Sequence, residues 1–170
     1  LIDSVKICDP AVGSGAFILG SLHSLINIKK LIYLLLDKTF INVSNLKRKT
    51  VEDLVKKESI VCLTAYTRMI AEIVDEFVDV ILVGDSVGTV LYGFETTREV
   101  SLEIMIRHAR AVCNATKKSL VVVDMPFGTY EQSKEQAYRN ASKLLEKSNA
   151  CAIKLEGGTE IEKTVTYLVK

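Results

Sequence analysis

A fourfold alternation of apolar runs and amphipathic segments, beginning near residue 60, most constrains the fold of this chain. The apolar runs are continuous rather than broken by polar residues, which is typical of strands buried on both faces. The segments between them place apolar residues at helical spacing. Because such strands are parallel and need helical crossovers, the pattern predicts an α/β fold with a parallel sheet. The predicted strands are 60–65, 78–83, 119–123 and 150–155, and the predicted helices are 68–77, 101–115, 133–147 and 159–170.

Two architectures fit this pattern, a doubly wound sheet and part of a (β/α) barrel. A complete barrel needs eight strand–helix units and about 250 residues. The chain has 170 residues and four units, so the barrel interpretation corresponds to about half of the closed structure. Half a barrel would leave two strand edges without neighbours, which predicts assembly with itself or with a complementing chain.

Charge and hydropathy exclude several classes of partner. The chain has 22 Lys and Arg against 21 Asp and Glu, a net charge of +1 that gives no attraction to nucleic acid or anionic membranes. Lys29, Lys30 and Asp37 interrupt the most apolar stretch, so a membrane helix is not expected. The first residues lack a secretory pattern and the four cysteines are widely spaced, so we expect a cytoplasmic protein with reduced thiols.

The composition changes within residues 42–49, a polar and basic stretch of the kind found in linkers. We therefore expect two parts, a leader with its linker over 1–46 and the strand–helix repeats over 47–170.

Helix-level expectations follow from the same spacing. The helix 68–77 is expected to turn four apolar residues inward, namely Ile70, Ile73, Val74 and Phe77. Thr159 is the expected N-cap of the last helix, with Glu162 as its capping-box partner. His108 lies alone within the helix 101–115, and we interpret it as a structural residue rather than a metal ligand.

Polar side chains stand at the ends of three neighbouring predicted strands. Asp85 and Ser86 follow the second strand, Asp124 follows the third, and Lys154 and Glu156 end the fourth. The carboxyl ends of parallel strands share one edge, where barrel active sites form. Three carboxylates there favour Mg2+ over zinc, and a lysine can pair with a substrate carboxylate or enolate. The alternative is that these residues only form turns and cap helices.

Five runs of residues carry a family resemblance. They are Leu-Thr-Ala-Tyr at 63–66, Val-Ile-Leu-Val-Gly-Asp-Ser-Val-Gly at 80–88, Met-Ile-x-His at 105–108, Val-Val-Val-Asp-Met-Pro-Phe-Gly at 121–128 and Lys-Leu-Glu-Gly-Gly at 154–158. With these runs, residues from about 49 to 170 resemble the ketopantoate (3-methyl-2-oxobutanoate) hydroxymethyltransferase family.

The resemblance implies a (β/α)8 TIM barrel assembled into a homo-oligomer, and an aldol-type reaction. A hydroxymethyl group passes from 5,10-methylenetetrahydrofolate to 3-methyl-2-oxobutanoate, giving 2-dehydropantoate for pantothenate synthesis. By motif, Asp85 and Asp124 resemble the family's Mg2+ ligands, with Glu156 on the metal or its waters. Ser86 and Lys154 resemble its substrate contacts.

The chain also departs from the family's pattern. The family's general base is a Glu on a later strand, so no residue here is assigned as the catalytic base. The family's Ala-Tyr-Asp is Ala65-Tyr66-Thr67 here, with one carboxylate fewer. We expect little or no turnover from the isolated chain. The alternatives are a half-site that binds Mg2+ and keto acid without turnover, and an inactive relic.

A second resemblance lies in the leader. Residues 7–17, Ile-Cys-Asp-Pro-Ala-Val-Gly-Ser-Gly-Ala-Phe, resemble motif I of amino-adenine DNA methyltransferases. In that Rossmann-like fold a glycine turn approaches S-adenosylmethionine, a role that would fall to Gly13 and Gly15. The family's catalytic Asp/Asn-Pro-Pro-Tyr/Phe motif is absent from the sequence. We interpret this segment as a gene-fusion remnant, with a working methyltransferase fragment as the less favoured alternative.

Overall fold

The structure, a computed structural model, describes residues 48–169, and the predicted methyltransferase-like leader over 1–46 lies outside them. The strands of the described range are β1 Cys62–Thr64, β2 Val80–Val83, β3 Leu120–Asp124 and β4 Ala152–Lys154. Its α-helices are α1 Val51–Val55, α2 Arg68–Val74, α3 Leu102–Ala115, α4 Lys134–Ser148 and α5 Glu162–Leu168. Shorter helical turns cover Gly88–Tyr92, Thr97–Glu99 and Thr159–Ile161. Among these helices, none has the length and apolar character that a bilayer span requires.

The four strands form one parallel sheet in the order β1-β2-β3-β4. Each strand therefore lies beside the next one in the sequence, with a helix between them. The α/β prediction is confirmed, and this consecutive order is that of successive units in a (β/α) barrel. The register aligns Val80 with both Cys62 and Leu120, and Val122 with Ala152.

Strand β3 is buried along its whole length because both faces of the sheet are covered. Val121 and Val123 belong to the larger core, which the sheet shares with α3 and α4. Leu120 and Val122 point to the opposite face, where they pack with Val51 and other residues of the smaller core. The continuous apolar run therefore serves two cores at once, as the sequence indicates for a parallel strand.

A buried carboxylate holds the amino-terminal edge of the sheet. Asp75, just after α2, accepts hydrogen bonds from the backbone N–H groups of Lys117, Lys118 and Ser119 at 2.8 to 3.2 Å. Burial opposes the charge, but these N–H groups outweigh burial and hold the pKa of Asp75 below its usual value. One side chain thus joins the end of α2 to the turn that leads into β3.

A second carboxylate joins α1 and β1 to the start of β2. Asp79 Oδ1 lies 2.6 Å from the ammonium groups of both Lys49 and Lys57, and Oδ2 accepts from the N–H of Val61 at 3.1 Å. Burial opposes the charge, but the two lysines and this N–H lower the pKa of Asp79 to about 2.

The helix α2 does not bury the face that its spacing predicts. Of its residues only Ala71 is buried, whereas Ile70, Ile73 and the following Phe77 are exposed, Phe77 to 76%. The prediction for these three side chains is wrong, and Val74 is only partly buried against the core. The physical reason is position, because α2 follows β1, the edge strand of the described sheet, and within residues 48–169 its main contact is with α3.

The prediction of a capping box at the last helix, formed by Thr159 and Glu162, is also wrong. The chain enters a 3-10 turn at Thr159–Ile161 before α5, and no side chain caps either segment. Instead the carboxylate of Glu160 accepts from the N–H of Gly158 at 2.7 Å. Gly157, with φ +154°, redirects the chain so that the first turn forms too early for Thr159 to act as a cap.

We predict that Asp75→Asn strongly destabilises the protein. An amide offers one acceptor where two oxygens now receive three backbone N–H groups, so buried donors lose their partners. The expected loss is about 2–4 kcal/mol in the free energy of unfolding, measured by urea denaturation. Glu76→Gln is the control, because the Glu76–Lys118 pair is exposed and should cost less than about 1 kcal/mol. Equal losses in the two variants would contradict this account of Asp75.

Asp79 should give the protein an acid-sensitive component of stability. A folded-state pKa of about 2 against an ordinary value of 3.8 contributes about 2 kcal/mol above pH 4. That contribution is lost as the pH falls from about 4 towards 2, because the unfolded chain binds the proton more readily. Asp79→Asn should flatten the dependence of unfolding free energy on pH in this window, measured by urea denaturation at each pH. An unchanged slope would refute the assignment.

Candidate functional site

The site is built on an ion pair between the last residues of two neighbouring strands. Asp124 ends β3, Lys154 ends β4, and the two are register partners. Lys154 Nζ lies 2.7 Å from Asp124 Oδ1, and the Asp124 side chain is only 8% exposed. Strand periodicity points both side chains to the face that carries Val122 and Ala152, opposite α3 and α4. In a (β/α) barrel that is the inner face.

Asp85, after β2, lies against the same carboxylate. Its backbone N–H donates to Asp124 Oδ2 at 3.2 Å. Gly84, just before Asp85, leaves room for the Ser86 hydroxyl, because a Cβ at that position would lie 2.8 Å from Ser86 Oγ, whereas its 3.5 Å distance from Asp124 Oδ2 would be an ordinary contact. Burial, and then the negative charge of Asp124, raise the pKa of Asp85 above its usual value. The sequence prediction that these strand ends converge is therefore met for Asp85, Asp124 and Lys154.

Lys154 is the positive centre of this group. Burial opposes the charge of Lys154, but the neighbouring carboxylates outweigh burial and raise the pKa of Lys154. The strongest effect is that of Asp124, followed by Glu156 and Asp85. The ammonium therefore stays charged at neutral pH. A half-buried ammonium at the edge of a sheet can serve as counter-ion to the carboxylate of a small ligand, provided that a bound cation offsets the neighbouring carboxylates.

Ser86 is held by an aromatic side chain from the loop that follows the neighbouring strand β1. Its Oγ lies 2.6 Å from the hydroxyl of Tyr66, which follows β1. The carbonyl of Tyr66 lies 2.7 Å from His108 Nδ1 in α3, and His108 Nε2 lies 2.9 Å from the Tyr92 hydroxyl. His108 thus braces the loop after β1, in keeping with its structural interpretation.

Glu156 differs from the other predicted residues because it is exposed. Its backbone is fixed by the buried Tyr130, whose hydroxyl donates to the Glu156 carbonyl at 2.8 Å and accepts from the Glu156 N–H at 3.3 Å. Burial, and then neighbouring carboxylates, raise the pKa of Tyr130 to about 12, so this hydroxyl stays protonated.

The donor set suits a small, hard cation to a limited degree. Among residues 48–169, no three carboxylate, histidine or cysteine side chains are grouped closely enough to hold a metal ion. Two carboxylates, Asp85 and Asp124, do lie together, and Mg2+ is commonly held by one or two carboxylates with ligand oxygens and water. The buried Asp124 Oδ1 lies 2.7 Å from the Lys154 ammonium, so a cation at this oxygen would share it with Lys154. The metal role of Glu156 remains a prediction.

Comparison with known proteins identifies the family. Residues 44–170 match the sequence model of the family described as "Ketopantoate hydroxymethyltransferase". The chain belongs to this family.

Curated relatives agree with the match. The 3-methyl-2-oxobutanoate hydroxymethyltransferase of Rhodospirillum rubrum is 49% identical over 129 residues, covering 73% of this chain and 46% of that protein. The relative named 3-methyl-2-oxobutanoate hydroxymethyltransferase 1 in Hahella chejuensis is 52% identical over 114 residues, covering 67% and 41%. The Agrobacterium fabrum relative is 54% identical over 110 residues, covering 65% and 39%. The chain thus spans less than half the length of these ketopantoate hydroxymethyltransferases.

The sequence alone does not identify the two tyrosines that support this candidate site. Tyr66 stands out only as part of a family run, and no sequence pattern marks Tyr130. A signal for Tyr66 was present, because it follows β1 at the same edge as Asp85 and Asp124. Tyr130 lies in the loop between β3 and α4, and its contact with Glu156 joins residues 26 positions apart, which no local pattern reveals.

We predict that Tyr130→Phe loosens the chain at Glu156. The variant leaves the Glu156 N–H and carbonyl without their shared hydroxyl, which should cost about 1–2 kcal/mol of unfolding free energy. Amide hydrogen exchange at Glu156 should accelerate more than in the rest of the sheet, measured by NMR or mass spectrometry. Tyr167→Phe is the control, because Tyr167 lies on the outer surface against Tyr138. Unchanged exchange at Glu156 would contradict the bracing role.

Proposed function

We propose that this chain carries the keto-acid-binding part of a 3-methyl-2-oxobutanoate hydroxymethyltransferase, with Mg2+ held by Asp85 and Asp124. One observation carries the proposal: three charged side chains from three consecutive strands, Asp85, Asp124 and Lys154, meet at one edge of the sheet. Family membership supports the choice of reaction. The proposal includes a cytoplasmic location, as the sequence predicts.

The ligand would be a small 2-oxo acid with one negative charge. Its carboxylate would take the Lys154 ammonium as counter-ion, and the Ser86 hydroxyl would donate a hydrogen bond to it. Mg2+, when bound, would supply Lewis-acid stabilisation of the charge that develops on the keto oxygen. Asp85 and Asp124 hold the metal in this arrangement, and Lys154 limits their mutual repulsion. Glu156 would act from the margin, through its charge or through a water on the metal.

The proposed reaction forms one carbon–carbon bond. Water cleaves the two C–N bonds that hold the one-carbon unit of 5,10-methylenetetrahydrofolate, so tetrahydrofolate leaves and a carbon at the formaldehyde level remains. C3 of 3-methyl-2-oxobutanoate gives up its proton and bonds to that carbon. The oxygen on that carbon takes up a proton, and 2-dehydropantoate is the product. The chain's own residues bind and orient the keto acid, while the base that takes the C3 proton is not assigned to any of them.

Exposed apolar side chains favour assembly with a second copy or a complementing chain. Ile73 on α2 and Phe77 just after this helix are more than half exposed, and both follow β1, the edge strand of the described sheet. Apolar surface of this kind at the edge of a sheet is commonly covered in an assembly.

We predict that the full chain binds 3-methyl-2-oxobutanoate only when Mg2+ is present. Asp124→Asn removes a negative charge that both the metal and the Lys154 ammonium would contact. The affinity for the keto acid should therefore fall at least about 10-fold, measured by isothermal titration calorimetry. Glu103→Gln, on the outer side of α3, is the charge-matched control and should bind normally.

The same samples test turnover. With 5,10-methylenetetrahydrofolate added, we expect no measurable 2-dehydropantoate from the chain alone. Product formation would contradict the absence of a base. Failure of the unaltered chain to bind the keto acid with Mg2+ would overturn the proposed function.

A further inference from the structure

The contact between Tyr66 and Ser86 deepens the proposed function. The two hydroxyls lie 2.6 Å apart, and they come from the loops that follow β1 and β2. We infer that Tyr66 is a positioning residue, which donates to Ser86 Oγ and so aims the Ser86 hydroxyl hydrogen at the carboxylate of the bound keto acid. The inference rests on the proposed function, because it needs that ligand at Ser86.

The backbone on the Tyr66 side is fixed from α3. A carbonyl oxygen only accepts, so the Tyr66 carbonyl requires the hydrogen of His108 on Nδ1. In the neutral ring Nε2 is then an acceptor, and the Tyr92 hydroxyl must donate to it. Two directed hydrogen bonds thus fix the ring of His108, and the ring fixes the loop that carries Tyr66.

The backbone of Ser86 is anchored as well. Its carbonyl accepts from the N–H of Val90 at 2.9 Å and from the Thr89 hydroxyl at 3.0 Å. With both backbones held, the fold brings the hydroxyls of Tyr66 and Ser86 within hydrogen-bonding distance of each other. This arrangement is prepared before a ligand arrives.

The direction of the hydrogen bond follows from acidity. A phenol is a stronger acid than an aliphatic alcohol, so Tyr66 is the better donor and Ser86 the better acceptor. A hydroxyl that accepts a hydrogen bond becomes a stronger donor through cooperative polarisation. Ser86 can then donate its own hydrogen to an anion. A bound anion therefore stabilises the arrangement in which Tyr66 donates to Ser86, rather than the reverse.

A double-mutant cycle on the full chain tests the inference. The affinity for 3-methyl-2-oxobutanoate with Mg2+ is measured by calorimetry for the unaltered chain, Tyr66→Phe, Ser86→Ala and the double variant. If Tyr66 acts through Ser86, each single change should weaken binding about 3–10-fold, and the double variant should bind no more weakly than Ser86→Ala. Tyr138→Phe, on the outer surface of α4, should bind normally. Thermal unfolding should show that Tyr66→Phe, which keeps the ring, stays folded.

Replacement of Tyr66 by 3-fluorotyrosine gives a readout of opposite sign. Fluorine makes the phenol more acidic and a better donor, so binding should tighten about twofold, and Ser86→Ala should abolish this gain. A purely structural role for Tyr66 would not produce that tightening.

The results of these binding measurements either support or overturn the positioning role of Tyr66. Coupled losses with the fluorotyrosine gain support the inference. Losses that multiply in the double variant, or weaker binding with fluorotyrosine, overturn the inference and leave the proposed function standing. No binding by the unaltered chain overturns both.

Discussion

The burial of β3 on both faces is the constraint on which the rest of the structure depends. Its four apolar residues, at positions 120–123, contribute to two cores, so the strand admits only apolar side chains until the chain reaches the carboxyl edge. Asp124 is the first position at which a charge is tolerated, and it remains buried and is matched by Lys154 across the register. The chemistry of the site is therefore confined to the residues that follow the apolar runs. Neighbouring strands meet the same limit, which gathers Asp85 and Lys154 around Asp124.

Charged side chains serve different purposes at the two edges of the sheet. At the amino-terminal edge, Asp75 and Asp79 are satisfied by backbone N–H groups and lysines, and both keep a lowered pKa. At the carboxyl edge, burial and then the like charge of Asp124 raise the pKa of Asp85, and Lys154 has more negative neighbours than it can neutralise. Satisfied carboxylates stabilise a fold, whereas crowded ones favour an added cation or the displacement of one charge by a ligand.

Much of the fold was predictable because it follows from burial and periodicity. The continuous apolar runs specified a parallel sheet, and the strand ends specified Asp85, Asp124 and Lys154 as neighbours. The same reasoning failed at α2, where spacing indicated a buried face but the helix lies at the edge of the described sheet and leaves Ile73 and Phe77 exposed. It failed again at Thr159, because the local geometry of the two preceding glycines decides where the helix begins.

The supporting contacts of the site could not be predicted, since they join residues that only the fold brings together. Tyr66 meets Ser86 across 20 positions, and His108 meets the Tyr66 carbonyl across 42. No periodic pattern encodes such pairs, although the position of Tyr66 after β1 marks it as a residue of the same edge.

The separation of the two edges has a consequence for protein engineering. Asp75 and Asp79 brace the sheet from the end opposite to Asp124, so libraries that randomise the residues after the strands would leave these braces intact. Gly84 is the exception, because its missing side chain makes room for the Ser86 hydroxyl, which a Cβ at that position would approach to 2.8 Å. A search for altered ligand preference should therefore vary Ser86 and Lys154 freely while keeping Gly84 constant.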